Sequence, residues 1–267
     1  MTRAPAWLSA VAMAGSWLLT SNALHAEGRE QPQRSAPSWN ESVQNAVAAG
    51  SYLPLSLAPD LESHGARAGA LTGYDGARQA VTFQSFVQAS IYGPLGLRVG
   101  ALSTSAGRVA PLLGARARLL SQDRHGVALA ASVFYKTEGF TELEGEIETA
   151  LSLARRWNQW LVVSTLAYGQ DPEGRERDGE VSLAGLFQLS RAAHVGVDAR
   201  GRFDLGSRRQ QLRGANEPLD DVQAGPVLHV ALGPVALSAH AGVSAFRSVE
   251  GTPQVGVVAA AGLGSAF

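Results

Sequence analysis

The chain has no cysteine among its 267 residues. Disulfide scaffolds, thiolate metal sites and thiol nucleophiles are therefore excluded. It has no surplus of basic charge either: 22 Lys and Arg stand against 23 Asp and Glu, which gives no electrostatic case for nucleic acid. Charged residues are 17% and aromatics 7%, but hydrophobic residues reach 45%, too apolar a composition for general disorder. Gly-x-Ser-x-Gly, His-Glu-x-x-His, a phosphate loop and a dinucleotide fingerprint are all missing. No cofactor, no metal site and no enzymatic activity are expected.

Long hydrophobic runs are scarce as well. The one that matters lies at the N-terminus, where Arg3 precedes an uncharged apolar stretch from Ala6 to Leu19. Ser21-Asn22-Ala23 or Leu24-His25-Ala26 then offers small residues for cleavage. The layout is that of a secretory signal peptide over residues 1–26. The run is shorter than the ~20 residues a spanning helix wants. Residues 27–64 read as a periplasmic extension. Ser38-Trp39-Asn40-Glu41 forms a capping box. Trp39, Val43, Ala46 and Val47 then share one helical face, and Gly50 can end the helix. Such a helix can plug a barrel, bind a partner or simply rest at its mouth.

From residue 65 onward the period changes to two. Val195, Val197, Ala199, Gly201 and Phe203 oppose His194, Gly196, Asp198, Arg200, Arg202 and Asp204. Similar alternation predicts strands at 79–92, 95–103, 108–122, 126–136, 141–154, 159–169, 180–190, 194–204, 221–232, 235–246 and 254–267. Many run to roughly 10 residues, the length of a tilted strand crossing a bilayer. Short turns at Gly93-Pro94 and Gly233-Pro234 alternate with longer polar connections such as Gln170 to Gly179 and Gly206 to Asp220. In a transmembrane barrel short turns are periplasmic and long loops external. An odd number of strands then leaves the chain on the wrong side, so Ala66 to Tyr74 is expected to supply another. The expected fold class is all-β: an antiparallel transmembrane β-barrel of 12 strands over residues 65–267.

The last strand carries a resemblance. Val255, Val257, Ala259, Ala261, Leu263, Ser265 and Phe267 alternate with Gly256, Val258, Ala260, Gly262, Gly264 and Ala266. This resembles the C-terminal signature of Gram-negative outer-membrane β-barrel proteins, an alternating strand ending in an aromatic residue. The resemblance implies a location in the bacterial outer membrane, with outer-membrane lipids as surroundings. It also implies that Phe267 is the assembly signal read by the barrel assembly machinery. It identifies a class and no subfamily. Trp160 and Tyr168, on one face and about 20 Å apart along a tilted strand, suit the two borders of an apolar band.

The interior offers the functional candidates. Glu142, Glu144, Glu146 and Glu148 lie on one strand face at period two. Four carboxylates in lipid would each cost several kcal/mol near the midplane, so they are expected to point inward. Alternation also assigns Arg98, Arg116, Arg118, Arg200, Arg202 and Lys136 to the inside. An acidic wall facing basic walls makes a polarised pore for small polar or charged solutes. The same charges could instead fill a non-conducting structural or surface-interaction barrel. Leu161, Val163, Leu112 and Leu120 put apolar side chains on the presumed interior, where they could pack against a plug. His229, His240, Ser238 and Ser244 share one inward hairpin face, the ingredients of a lipid hydrolase. They face away from lipid, and no acid on that hairpin orients either histidine. The charged segments 170–178 and 207–213 are expected outside, where their arginines could meet lipopolysaccharide phosphates.

Overall fold

A computed structural model describes residues 66–77, 79–92, 94–104, 109–137, 145–170, 177–205, 218–232, 235–248 and 253–266. The expected signal peptide, the extension with its capping box, Phe267, residues 142 and 144, and the 207–213 segment lie outside that set. The strands, in chain order, are β1 (Ala66–Asp75), β2 (Ala80–Tyr92), β3 (Leu95–Thr104), β4 (Val109–Leu120), β5 (Ala128–Thr137), β6 (Gly145–Trp157), β7 (Trp160–Gln170), β8 (Arg177–Gln188), β9 (Ala193–Asp204), β10 (Pro218–Leu232), β11 (Val235–Ser248) and β12 (Pro253–Ala266). Every neighbouring pair is antiparallel.

The sheet closes into a barrel of twelve strands when β1 pairs with β12. That closure is carried by the strand expected near Ala66. Its register runs from Arg67 opposite Ala266 to Asp75 opposite Val258. Closure removes both sheet edges, so every strand finds backbone partners on two sides.

Side chains alternate as the period-two pattern requires. On β8, Ser182, Ala184, Leu186 and Gln188 are buried while Val181 and Leu183 are exposed. The outside is apolar on all twelve strands, with Tyr74, Val87, Val99, Leu113, Val133, Leu151, Leu166, Val181, Val197, Val222, Val243 and Val257 each over a third exposed. A water-soluble protein rarely shows apolar patches beyond a few hundred Å². Here the exposed apolar surface is a belt around the whole sheet. Trp160 and Tyr168 both face outward on β7, and the Trp160 ring lies 5.0 Å from that of Phe187.

Two turns differ from expectation. β6 continues through Arg155 and Arg156, and Trp157 pairs with Trp160 across Asn158 and Gln159. Asn158 takes a φ of 50°, a left-handed conformation that asparagine tolerates. Between β4 and β5 the chain forms a single helical turn, α1 (Gln122–His125), stopped by Gly126 at φ 74°. The Gln122 side chain stands in for a strand residue: its Nε2 donates to the Arg156 carbonyl at 2.6 Å and its Oε1 accepts from the Arg156 amide at 2.8 Å.

Candidate functional site in the barrel lumen

The inward residues of β2 to β5 combine arginine with aromatic rings. Arg98 on β3 is buried, and its guanidinium carbon sits 4.0 Å from the centre of the Phe86 ring on β2. Its partner on β4 is Gly114. A Cβ at Gly114 would run into the Phe134 ring, so glycine makes room for that inward aromatic. Arg116 is buried opposite Gly96, and Arg118 follows on the same face. The long arginine side chains thus stand beside glycines on a wall that also carries Phe86 and Phe134. Glu148, inward on β6, is the carboxylate whose field acts on Arg98.

Of the predicted glutamate ladder, Glu148 has a described side chain. Glu146 sits in register with Lys136 on β5. The acids that meet the β9 arginines come from elsewhere. Arg200 Nε lies 3.0 Å from Glu180 Oε2, and Arg202 donates through Nε to Asp178 Oδ2 at 2.7 Å, with a second contact from its terminal nitrogen. Both pairs are diagonal across β8 and β9, since Glu180 is directly opposite Arg202 and Ser182 opposite Arg200. Asp178 was expected in a loop, but β8 begins at Arg177 and takes it into the sheet.

The β8 to β12 side is different again. One inward row runs Gln188, His194, His229, Ser238 and Gly262 across five adjacent strands. All four side chains in it are buried, and His194 and His229 have almost no exposure. One step further from the short turns, His240 Nε2 lies 3.1 Å from Asp198 Oδ1. This is the acid that the hairpin itself lacks. It arrives from β9, one strand beyond β10, and the residue it crosses is Gly225. A Cβ there would collide with the Ala241 carbonyl, so β10 and β11 approach closely only because the position is glycine.

The same device recurs at the other end of the lumen. Asp75 on β1 reaches across β12 at Gly256 to accept from Ser244 Oγ at 2.7 Å, and from Gln223 Nε2 at 3.5 Å. Its Oδ1 also accepts from the Ala77 amide at 2.9 Å. Asp75, Gln223 and Ser244 are all buried. Nothing in the spacing of a single strand reveals such pairs, because each joins residues two or three strands apart. Among the described residues, no three His, Asp or Glu side chains converge to hold a metal ion.

An apolar belt enclosing a charged and polar interior is known architecture. The chain is similar to the NanC porin, with TM-score 0.56 and 9% identity over 74% of this chain and 98% of that one. It is also similar to an outer-membrane channel from Pseudomonas putida F1, with TM-score 0.52 and 10% identity over 78% and 97%. A KdgM porin solved in complex with disordered oligogalacturonate gives TM-score 0.52 and 8% identity over 75% and 99%. The fold is that of a bacterial outer-membrane β-barrel. At these identities the likeness is one of fold. Neither a protein-family model nor a curated protein sequence matches the chain.

The barrel therefore places the predicted residues as follows. Arg98, Arg116, Arg118 and Glu148 share the β3 to β6 side, while Arg200 and Arg202 belong to a separate ladder with Glu180 and Asp178. His229 and His240 face inward on neighbouring strands, with Ser238 opposite His229. Leu161 and Val163, flagged by alternation as apolar and inward, are indeed buried on the inner face.

Proposed function

We propose that this barrel resides in the bacterial outer membrane and passes small polar or charged solutes. The observation that carries the reading is the sorting of side chains by face. Large apolar residues are exposed outside on every strand, while Arg98, Arg116, Glu148, Asp198, His194 and His229 point inside. The outside suits lipid and the inside suits water and ions. Eight strands leave an interior that side chains just fill, and 16 to 18 leave an aqueous channel. Twelve strands fall between, wide enough for a narrow path. Arg98, Arg116 and Arg118 supply cationic groups of the kind that orient carboxylate- or phosphate-bearing solutes.

Export by a cleaved signal peptide, assembly through Phe267 by the barrel assembly machinery, and long polar loops facing outward complete this reading. A non-conducting structural or surface-interaction barrel is the second reading. It is favoured by the completely buried His194, His229 and Gln223, which behave as packing rather than as a wet wall. Planar-bilayer recording of the purified chain decides between them. Discrete conductance steps are expected, and a silent bilayer from correctly folded, heat-modifiable protein would leave only the second reading.

A further inference from the structure

The outer belt is not smooth. Across β7 to β10 it holds a groove of about 490 Å³, lined by the small residues Gly185, Ala199 and Ala224 between Val162, Leu183 and Pro226. A Cβ built on Gly185 would meet nothing within 4 Å, so the groove is open there. One register row leads into it. Arg155 on β6 is opposite Val162 on β7, which is opposite Gly185 on β8; Gly185 is opposite Val197 on β9, and Val197 opposite Pro226 on β10. The row climbs, because barrel strands are tilted. Arg155 stands two residues before the end of β6 at Trp157, whereas Pro226 stands six before the end of β10 at Leu232. An exposed arginine at the rim is thus the foot of an apolar groove that rises into the belt.

A second cation lies at the same end. Arg191 is exposed on the turn between β8 and β9, the strands that pass under the groove. Neither Arg155 nor Arg191 has a side-chain partner among the described residues. Both sit on fixed backbone: the Gln159 carbonyl accepts from the Gln188 amide at 2.8 Å, and the Ala192 carbonyl from the Ala231 amide at 2.7 Å. Trp157 and Trp160, exposed and paired across the β6–β7 turn, mark the level. Tryptophan favours the boundary between headgroups and acyl chains, and arginine beside it carries its charge to the headgroups on an apolar stem. A second outer groove, of about 420 Å³ around Leu97, Leu113, Ala115 and Val133, lacks this feature: the outward positions of β3, β4 and β5 carry no charge. We propose that the groove across β7 to β10 binds one anionic phospholipid of the surrounding membrane. Arg155 and Arg191 hold its phosphate, and an acyl chain lies along Gly185, Ala199 and Ala224. The proposal rests on the membrane location of the barrel and not on conduction.

The two tryptophans beside Arg155 supply the readout. The full chain carrying Trp7→Phe, Trp17→Phe and Trp39→Phe keeps Trp157 and Trp160 as its tryptophans. It is folded into phosphatidylcholine vesicles that contain a fraction of dibrominated phosphatidylglycerol or of dibrominated phosphatidylcholine, and fluorescence quenching reports which lipid occupies the site. One arginine near the surface favours an anionic lipid roughly fivefold, so the brominated phosphatidylglycerol is expected to be preferred at least about fivefold. Arg155→Gln plus Arg191→Gln should bring the two lipids to parity, and so should Gly185→Leu, which fills the groove. Ala115→Leu, in the other groove, should leave the preference unchanged. Heat-modifiable mobility verifies folding, and Ala199→Leu replaces Gly185→Leu should the latter not fold. A preference that survives either the arginine or the groove variants, or that Ala115→Leu abolishes equally, would overturn the proposal. Equal quenching by both lipids in the parent chain overturns it too, yet leaves the membrane location standing. No quenching by either lipid removes both.

Discussion

The β2 to β5 side and the β8 to β12 side of the lumen use the same inward positions for different work. On the first, long arginines stand beside glycines and aromatic rings, the Arg98 guanidinium lying over the Phe86 ring. On the second, short histidine, aspartate, serine and glutamine side chains are buried and reach sideways to one another. A long cation on a barrel wall meets whatever passes; a short buried polar group ties strands together. Inward polarity alone therefore does not mark a solute path. Reach and charge, rather than burial, divide lining from scaffolding.

The largest expected effect contrasts the outside with the inside. Val197→Arg puts a cation on the belt next to Asp198, one of the scaffolding residues. It should cost about 2–4 kcal/mol in urea titrations of the lipid-embedded barrel. A near-neutral result would mean that the belt does not face lipid. Within the lumen the two sides should respond unequally. Asp198→Ala strips a buried histidine of its carboxylate and should cost about 1–3 kcal/mol, whereas Arg118→Gln should stay within about 0.5 kcal/mol. Equal costs in the same titration would erase the distinction between scaffolding and lining.

A subtler contrast concerns the glycines that let aspartates cross a strand. Gly225→Ala forces a methyl into the Ala241 carbonyl, while a methyl at Gly185 meets nothing within 4 Å. Overpacking at the first site should cost about 1–3 kcal/mol, and the second substitution should be close to neutral. If both are neutral by thermal or urea unfolding, the close approach of β10 and β11 does not depend on glycine.

Much of the fold was legible because closure and alternation leave a period-two imprint on each strand. Residues such as Val195, Val197 and Ala199 show their face without any neighbour. Parity of the strand count even located β1, which is the residue run that pairs with both β2 and β12. The misplacements fell where charge imitates a turn. Arg155 and Arg156 continue β6, and Arg177 and Asp178 open β8, because the outward Arg155 and Arg177 and a diagonal ion pair let a strand end in charge. The site was less legible. Asp198 with His240 and Asp75 with Ser244 depend on register accumulated over two strand pairs, which no local pattern encodes. Leu161 and Val163 were legible as misfits, and the structure makes them part of a buried apolar cluster.

The account turns on the arginine side being the wall that a solute meets. The most direct measurement is the reversal potential of single channels under a salt gradient, compared between the native chain and the Arg98→Gln, Arg116→Gln, Arg118→Gln triple variant. The native channel should favour anions, and the triple variant should shift its preference toward cations, with Glu148→Gln shifting the native channel the opposite way. An unchanged reversal potential in all three would show that the conducting path, if one exists, does not run along this wall.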